Sequence, residues 1–204
     1  MVAHLGNPCM PATLLLVAIA IGIPVIIGAV VVGYGMAAYN RLVASRNRVR
    51  EGWSGIEVTL KRRANLVPNL VETVKSHSAH EKGILETVLQ ARQRSLAEAG
   101  PTPEHARAED QLTAALGKLV AVAEADPALR TDAGYRQLQD ELAGIERDLE
   151  KARRYYNGTV QRLNTRVEQF PSNVVAGMFG FAPADYFEIV DPAKRAVPEV
   201  GFGR

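Results

Sequence analysis

The chain has 204 residues, and its 24 Lys and Arg nearly balance its 22 Asp and Glu, which leaves a formal net charge of +2. A lone cysteine, Cys9, excludes an internal disulfide framework. The basic side chains lack the interleaved aromatic residues, zinc ligands and recognition motifs of nucleic-acid-binding proteins, so no nucleic-acid partner is expected.

The N-terminal part of the chain is an uncharged apolar run. Between Ala12 and Ala38, Thr13 is the only polar side chain, and a helix of these residues would be about 40 Å long, more than the roughly 30 Å hydrocarbon core of a bilayer. A cleavable signal peptide is the alternative, but no Lys or Arg precedes the run, which is about twice the usual length of a signal peptide's apolar core. We therefore predict a retained transmembrane helix at residues 12–38, in contact with the lipid bilayer, after a short external N-terminus at residues 1–11.

Basic residues follow this helix and do not precede it. Positions 39 to 63 hold seven basic and two acidic residues, a balance of +5, whereas the whole chain is +2. The positive-inside rule therefore predicts that the domain after the helix is cytoplasmic. The cluster is either this topology signal alone or also a contact surface for anionic lipid head groups. The residues hypothesised to contact lipid near the membrane are Arg41, Arg46, Arg48, Arg50, Lys61, Arg62 and Arg63.

Small residues recur at four-residue spacing within the predicted transmembrane helix. Ala29, Gly33 and Ala37 would share one face, along which a second helix could approach closely. Lateral packing of this helix is expected to use that face.

The residues after Tyr39 follow a helical pattern. Apolar side chains recur at three- and four-residue spacing to about Ala97, which predicts a long amphipathic helix without strand-like alternation. Pro68 lacks an N–H and would clash with the carbonyl of Ala64, so a kink or break is expected near Asn65.

A second helix is predicted after the segment Gly100 to Pro103. Thr102 is suited to the N-cap, and Pro103 is suited to the first helical position, where no N–H donor is needed. The apolar pattern then continues to about Ala125.

A third, long helix is predicted in the second half of the chain. Asp126-Pro127 forms a turn, Asp132 caps the helix, and Phe170-Pro171 ends it. Because the connecting loops have only about six residues, neighbouring helices are expected to be antiparallel. We therefore predict an all-α fold, in which the N-terminal transmembrane helix is followed by an antiparallel bundle of long helices at residues 39–187. A tail at residues 188–204 is expected to be disordered.

Three segments are candidate contact surfaces. The segment around Pro68 could form a groove or simply bend the helix, and the Arg and Tyr side chains at positions 153–156 suit either a partner or a helix junction. The apolar residues 174–181 either pack against the end of the bundle or contact the inner leaflet or a neighbouring subunit. The residues hypothesised to form a partner or assembly surface are Leu66, Pro68, Asn69, Arg153, Arg154, Tyr155 and Tyr156.

One local cluster has the minimum composition of a metal site. His77, His80 and Glu81 could share a helix face, but their order is neither that of zinc proteases nor the inverted form, so a solvated polar face is the preferred interpretation. We predict no catalytic residue, no metal and no cofactor. A metal-dependent enzyme using these three residues remains a remote alternative.

A series of short blocks occurs in a characteristic order along about 150 residues. They are Tyr39 to Val43, Arg46 to Val49, Trp53-Ser54, Leu60 to Lys75, His80-Glu81, Leu138 to Leu142, Ala152 to Asn157, Phe170 to Asn173, Gly180-Phe181 and Tyr186-Phe187. Together these blocks resemble the signature of the LemA family. The chain departs from the family pattern at Gly52, Gly55 and Gly158, and each glycine costs a helix roughly 1 kcal/mol relative to alanine, so a weakened helix is expected near Trp53.

The resemblance implies a bacterial inner-membrane protein with one N-terminal membrane helix, a short external N-terminus and a cytoplasmic helical bundle, with no established enzymatic activity. The leading hypothesis is a non-enzymatic, membrane-anchored scaffold or adaptor that binds an unidentified membrane or cytoplasmic protein, or assembles with itself. A membrane sensor that binds anionic lipids is the main alternative.

Overall fold

The computed structural model describes residues 12–77 and 81–188, and the predicted disordered tail lies almost entirely outside these residues. Within the described ranges the regular secondary structure is helical, without strands. The helices are α1 (Ala12–His77), α2 (Lys82–Ala97), α3 (Pro103–Ala125), α4 (Pro127–Thr131), α5 (Ala133–Glu168) and α6 (Ser172–Met178). The predicted all-α class, with a long apolar N-terminal helix followed by further helices, is confirmed.

The chain divides into two compact units. Unit 1 comprises Met1–Ala44 and Arg166–Ala182, and unit 2 comprises Ser45–Thr165 and Pro183–Arg204. Helices α1 and α5 each contribute residues to both units.

Unit 2 contains the hydrophobic core. Apolar stripes of its helices are buried together, as the three- and four-residue spacing predicted. The core side chains include Val67, Leu70 and Val74 of α1, Leu85 and Val88 of α2, Leu112, Leu116 and Leu119 of α3, Leu129 of α4, and Leu142 and Ile145 of α5.

Side-chain caps begin three helices of unit 2, namely α3, α4 and α5. The Thr102 hydroxyl accepts the N–H of His105 at 3.2 Å, and Asp132 Oδ1 accepts the N–H of Tyr135 at 2.6 Å, so both predicted caps are confirmed. Asp126-Pro127 does more than turn the chain. Asp126 caps the short helix α4, which holds the buried Leu129, because an Asp N-cap followed by proline is a helix start.

A kink or break was predicted near Asn65, and the break is wrong. Helix α1 continues through Pro68, and the chain leaves it only after His77. The carbonyl of Ala64, which Pro68 leaves without its intrahelical donor, accepts a hydrogen bond from Arg92 Nε of α2 at 2.6 Å. The neighbouring helix thus supplies the missing donor.

The helix is also continuous at the glycines near Trp53. A Cβ at Gly52 would lie 3.2 Å from the Cα of Tyr156, whereas a Cβ at Gly55 would meet no atom within 4 Å. Gly52 therefore permits a close approach of the backbones of α1 and α5 in unit 2.

Helix α1 is the one described helix that is long and apolar enough to cross a membrane, judged by length and composition. None of the most apolar stretch of this candidate span is buried inside the structure. In unit 1, helix α5 ends at Glu168, close to the predicted stop, and α6 follows it.

Candidate functional site

A buried ionic network lies at the centre of unit 2. Arg63 of α1 is completely buried, and its guanidinium donates to Glu109 of α3, to Thr113 Oγ1 at 2.9 Å and to Glu146 Oε1 of α5 at 2.7 Å. Because a buried charge is tolerated only when it is paired and hydrogen-bonded, these contacts fix the register of three helices.

Glu109 is the acidic centre of this network. One carboxylate oxygen pairs with Arg63, and the other accepts from the hydroxyl of Ser95 on α2 and lies 3.5 Å from His105 Nε2. Burial alone would raise the pKa of Glu109, but the His105 hydrogen bond, the Arg63 charge and the Ser95 hydrogen bond outweigh it and lower that pKa. The carboxylate is therefore ionised, and its acceptor positions are occupied.

His105 connects the network to an aromatic cluster. Its Nδ1 lies 2.9 Å from the carbonyl oxygen of Gly100, and its Nε2 faces Glu109, so a doubly protonated ring satisfies both acceptors. The hydrogen bond to Glu109 raises the pKa of His105 although burial opposes it.

The aromatic cluster surrounds Phe187, near the end of the described chain. Trp53 contacts Phe187, Tyr156 and His105 edge-on, with ring centroids 5.1, 5.7 and 5.7 Å apart. The guanidinium of Arg153 lies over the Phe187 ring, 5.2 Å from its centroid. Sequence blocks that are far apart in the chain thus meet around one buried phenylalanine.

Two asparagines of α5 bind the backbone of the C-terminal segment 183–188. Asn157 exchanges two hydrogen bonds with Phe187, at 3.0 and 3.2 Å, and Asn164 exchanges two with Ala184, at 2.8 and 3.0 Å. Seven helical residues rise about 10.5 Å and three residues of extended chain span about 10 Å, so the two pairs match in spacing. Tyr156 adds a hydrogen bond to the carbonyl of Asp185 at 2.9 Å.

The side chains of the ionic network have a structural role, because they bind one another. Each carboxylate oxygen of Glu109 accepts a hydrogen bond. The network reaches solvent at Glu146, whose side chain is 37% exposed. Among the described residues, no group of three or more His, Cys, Asp or Glu side chains is arranged to hold a metal ion. His80, one member of the predicted cluster with His77 and Glu81, lies outside the described residues.

The hypothesised lipid contacts require one correction. Arg63 is buried in the ionic network and cannot contact lipid in this conformation, because its position on α1 continues the apolar stripe of Leu60 and Val67. The other side chains of this set are exposed: Arg41, Arg46, Arg48, Arg50, Lys61 and Arg62. The hypothesised packing residues Ala29, Gly33 and Ala37 are also exposed.

The hypothesised partner surface separates into buried and exposed members. Leu66 and Tyr156 are buried, so neither offers a surface to a partner, and Arg153 is half-buried against Phe187. They are buried because Leu66 belongs to the core and Tyr156 packs against Trp53 beneath the C-terminal segment. The exposed members are Pro68, Asn69, Arg154 and Tyr155.

Asn69 lies where two shallow surface grooves of unit 2 meet. The first groove, of about 400 Å³, is lined by α1 residues from Val58 to Asn69 and by Glu141 of α5. The second, of about 440 Å³, is lined by α1 residues from Asn69 to His77 and by Asp132. Together they form a surface along α1 that is lined mostly by polar residues but exposes polar and apolar atoms alike, and we call it the α1 groove.

Sequence reasoning missed Glu109, His105, Glu146 and Asn164. A signal was present for Glu109, because it lies three residues before Leu112 on the apolar stripe of α3. A charged residue at a stripe position indicates a buried partner of opposite charge. Asn164 had no comparable signal, since its partner is backbone 20 residues away.

Comparison with known proteins supports the resemblance to the LemA family that the residue blocks indicate. The model of the LemA family matches residues 52–202. Magnetosome proteins MamQ 1 and MamQ 2 of Paramagnetospirillum magneticum are each 27% identical to this chain over 176 residues, covering 74% of this chain and 64% of the relative. MamQ of Magnetospirillum gryphiswaldense is 25% identical over 175 residues, with 73% and 64% covered.

The chain thus spans less than two thirds of the length of these relatives. The candidate span of α1 and the bacterial relatives together indicate a membrane-associated bacterial protein. Because the family model covers well over half of the sequence, the chain belongs to the LemA family.

Proposed function

We propose that this protein is a non-enzymatic scaffold or adaptor, anchored in the bacterial inner membrane by residues 12–38, with the helical domain at residues 39–187 on the cytoplasmic side. It binds a protein partner or a second copy of itself. The family description and the names of the MamQ relatives state no reaction, which is in keeping with this proposal.

The observation that carries the partner-binding role is the α1 groove. Asn69 is exposed at its centre, and Val58 at its membrane-proximal end is an exposed apolar side chain, 67% accessible. Beneath it, the paired charges of Arg63 and Glu109 hold the helices in register. A fixed groove that exposes both polar and apolar atoms suits a protein partner better than a reacting small molecule.

Crosslinking in membranes tests the proposal. A lysine-reactive or photoreactive crosslinker should trap self-adducts or one recurrent partner, and mild-detergent purification should recover the same species. Asn69→Arg should reduce the yield, whereas Gln90→Arg, at an exposed position of α2, should not. Membranes that give only monomers, together with purifications that give no specific partner, contradict the proposal.

The proposed topology has a separate test, because Cys9 is the only cysteine. A membrane-impermeant maleimide should label Cys9 in cells with a permeabilised outer membrane. In a Cys9→Ser background, Gln90→Cys should react only after the inner membrane is opened. The reverse pattern would place the helical domain outside.

A lipid sensor is the second candidate, favoured by the exposed basic residues that follow the span. Replacing Arg46, Arg48, Lys61 and Arg62 by Gln should then remove the preference of the full chain for anionic vesicles, at about 1 kcal/mol per residue. Arg63→Gln is not part of this test, since Arg63 is buried.

A further inference from the structure

Unit 1 contains an apolar cleft of about 720 Å³. One wall is formed by α1 residues from Val31 to Asn40, and the other by Pro171 and α6. Its volume is within the roughly 300–1,000 Å³ of small-molecule sites. Its lining is almost wholly hydrophobic and includes Val31, Val32, Gly35, Met36, Val174 and Met178.

Helix α6 is held against α1 by specific contacts. The ring of Tyr39 packs on Phe179 and Phe181, with centroids 4.8 and 5.8 Å apart. Two local hydrogen bonds fix α6 itself: the N–H of Phe181 donates to the carbonyl of Ala176 at 2.9 Å, and the hydroxyl of Ser172 donates to the backbone carbonyl of Arg166, in α5, at 2.8 Å. These contacts within unit 1 define the shape of the cleft.

Three of the side chains that α6 and its C-cap contribute to the cleft remain exposed. Val174, Met178 and Phe179 are 53%, 76% and 60% accessible. Large apolar side chains grouped in this way mark an interaction surface. Across the cleft, Val31, Val32 and Met36 are also more than 60% accessible.

Continuity with the candidate span indicates what covers this surface. Val31, Val32 and Met36 belong to the apolar run at 12–38, so a span placed in the bilayer brings this wall of the cleft to the level of lipid. Helix α6 has seven residues and is too short to cross a membrane, so its apolar side chains would meet lipid at the interface. An acyl chain is the occupant that fits this wall.

A basic pocket adjoins the cleft. It has a volume of about 240 Å³, contains Arg41 and Arg166, and shares Tyr34 and Pro171 with the cleft. The Arg166 guanidinium lies 3.4 Å from the backbone carbonyl oxygen of Arg41. Arginine is the side chain best suited to phosphate, so the two pockets present an apolar site and a cationic site side by side.

We propose that this double site in unit 1 binds an anionic phospholipid of the surrounding leaflet, with an acyl chain in the cleft and the phosphate at Arg41 and Arg166. The inference rests on the proposed membrane insertion of α1, and it is independent of partner binding at the α1 groove.

Photoreactive lipid maps this site on the full chain. The protein is reconstituted in vesicles that contain diazirine-acyl phosphatidylglycerol, or diazirine-acyl phosphatidylcholine, and adducts are located by peptide mass spectrometry. Adducts should be enriched at residues 174–179 and 31–36 over residues 19–28, and more so with phosphatidylglycerol. Arg41→Gln and Arg166→Gln should each lower that head-group preference by up to about fivefold.

Two glycine variants provide a matched pair. Gly35 lines the cleft and Gly33 does not, and a Cβ at either position meets no atom within 4 Å. Gly35→Phe should fill the cleft and reduce adducts on α6 severalfold, whereas Gly33→Phe should leave them unchanged. Equal effects of the two substitutions would overturn the proposal.

The remaining outcomes are equally decisive. Adducts on residues 19–28 without any on α6 would overturn the lipid site while leaving the anchor in place. A lack of adducts along the whole apolar run would contradict the anchor itself. Photo-methionine at Met178 that crosslinks to a second copy of the chain, rather than to lipid, would assign the surface to self-association and overturn the proposal.

Discussion

Arg92 Nε donates to the backbone carbonyl of Ala64 at 2.6 Å, and this carbonyl is the one that Pro68 deprives of its intrahelical donor. A side chain of α2 thereby completes the hydrogen bonding of α1 at a buried position. The proline does not end the helix, because a donor on a neighbouring helix pairs with the carbonyl that the proline leaves without one.

A double-mutant cycle tests this pairing. Arg92→Met should lower the free energy of unfolding by about 1–3 kcal/mol, because it leaves the buried carbonyl without a donor. Pro68→Ala restores an N–H at that position, so the effect of Arg92→Met should be clearly smaller in the Pro68→Ala background. Urea unfolding in detergent micelles measures all four proteins. Equal effects in both backgrounds would show that Arg92 does not act through this carbonyl.

The buried ion pair of Arg63 and Glu109 predicts a large loss of stability when the glutamate is replaced. Glu109→Gln should destabilise the protein by about 3 kcal/mol or more, because it leaves Arg63 buried with reduced charge compensation. Glu104→Gln is the matched control, since its pair with Arg107 is exposed and should contribute less than about 1 kcal/mol. Thermal unfolding followed by circular dichroism compares them. Similar losses for both variants would contradict a stabilising role for the network.

The protonation of His105 should make the stability of the fold depend on pH. Its pKa is raised in the folded state, first by the hydrogen bond to Glu109, so its contribution is fully present well below the unfolded value of 6.5 and is lost as pH rises through the folded pKa. The free energy of unfolding should therefore fall as pH rises from below 6.5 through the folded pKa of His105. His105→Gln should remove this part of the profile. A wild-type profile that is flat, or that rises across this range, contradicts the arrangement.

The asparagine pairs predict how the C-terminal segment is held. Asn164→Ala should expose the amide of Ala184 to faster hydrogen exchange, whereas Asn164→Asp keeps the acceptor and should preserve more of its protection. Asn157→Ala should act in the same way on Phe187. Hydrogen exchange with mass spectrometry of residues 183–188 provides the readout. Unchanged exchange in both alanine variants would show that the asparagines do not dock the segment.

Two glycines of α1 should respond differently to the same change. Gly55→Ala enters open space and should stabilise the protein by up to about 1 kcal/mol, through helix propensity. Gly52→Ala meets the backbone of Tyr156 at 3.2 Å, so it should be the less stable of the two by at least about 1 kcal/mol. Equal stabilisation by both would show that α1 and α5 can separate freely at this point.

Much of the fold could be predicted because it follows from local patterns. Thr102, Asp132 and the apolar stripes specify helices through contacts within a few residues. The continuity of α1 at Pro68 could not be predicted, because the compensating donor lies on another helix.

The site was less accessible to sequence reasoning. Arg63 was grouped with neighbouring basic residues as a lipid contact. It lies between Leu60 and Val67 on the apolar stripe of α1, and this position on the helix, rather than the charge of its neighbours, determines that it is buried. Tyr156 was assigned to a partner surface because Arg and Tyr side chains at positions 153–156 suit one. Its own chain covers it instead, through Trp53 and Asp185, and a single sequence does not show such distant contacts.

Site-specific photocrosslinking in intact cells tests the scaffold proposal most directly. Benzoylphenylalanine is placed at Asn69, at the centre of the α1 groove, and at Gln90, an exposed control on α2, and the adducts are identified by mass spectrometry. The proposal predicts a recurrent adduct from Asn69, with either a second copy or one partner protein, and no such adduct from Gln90. An Asn69 probe that gives no protein adduct, or the same mixture as Gln90, would contradict it.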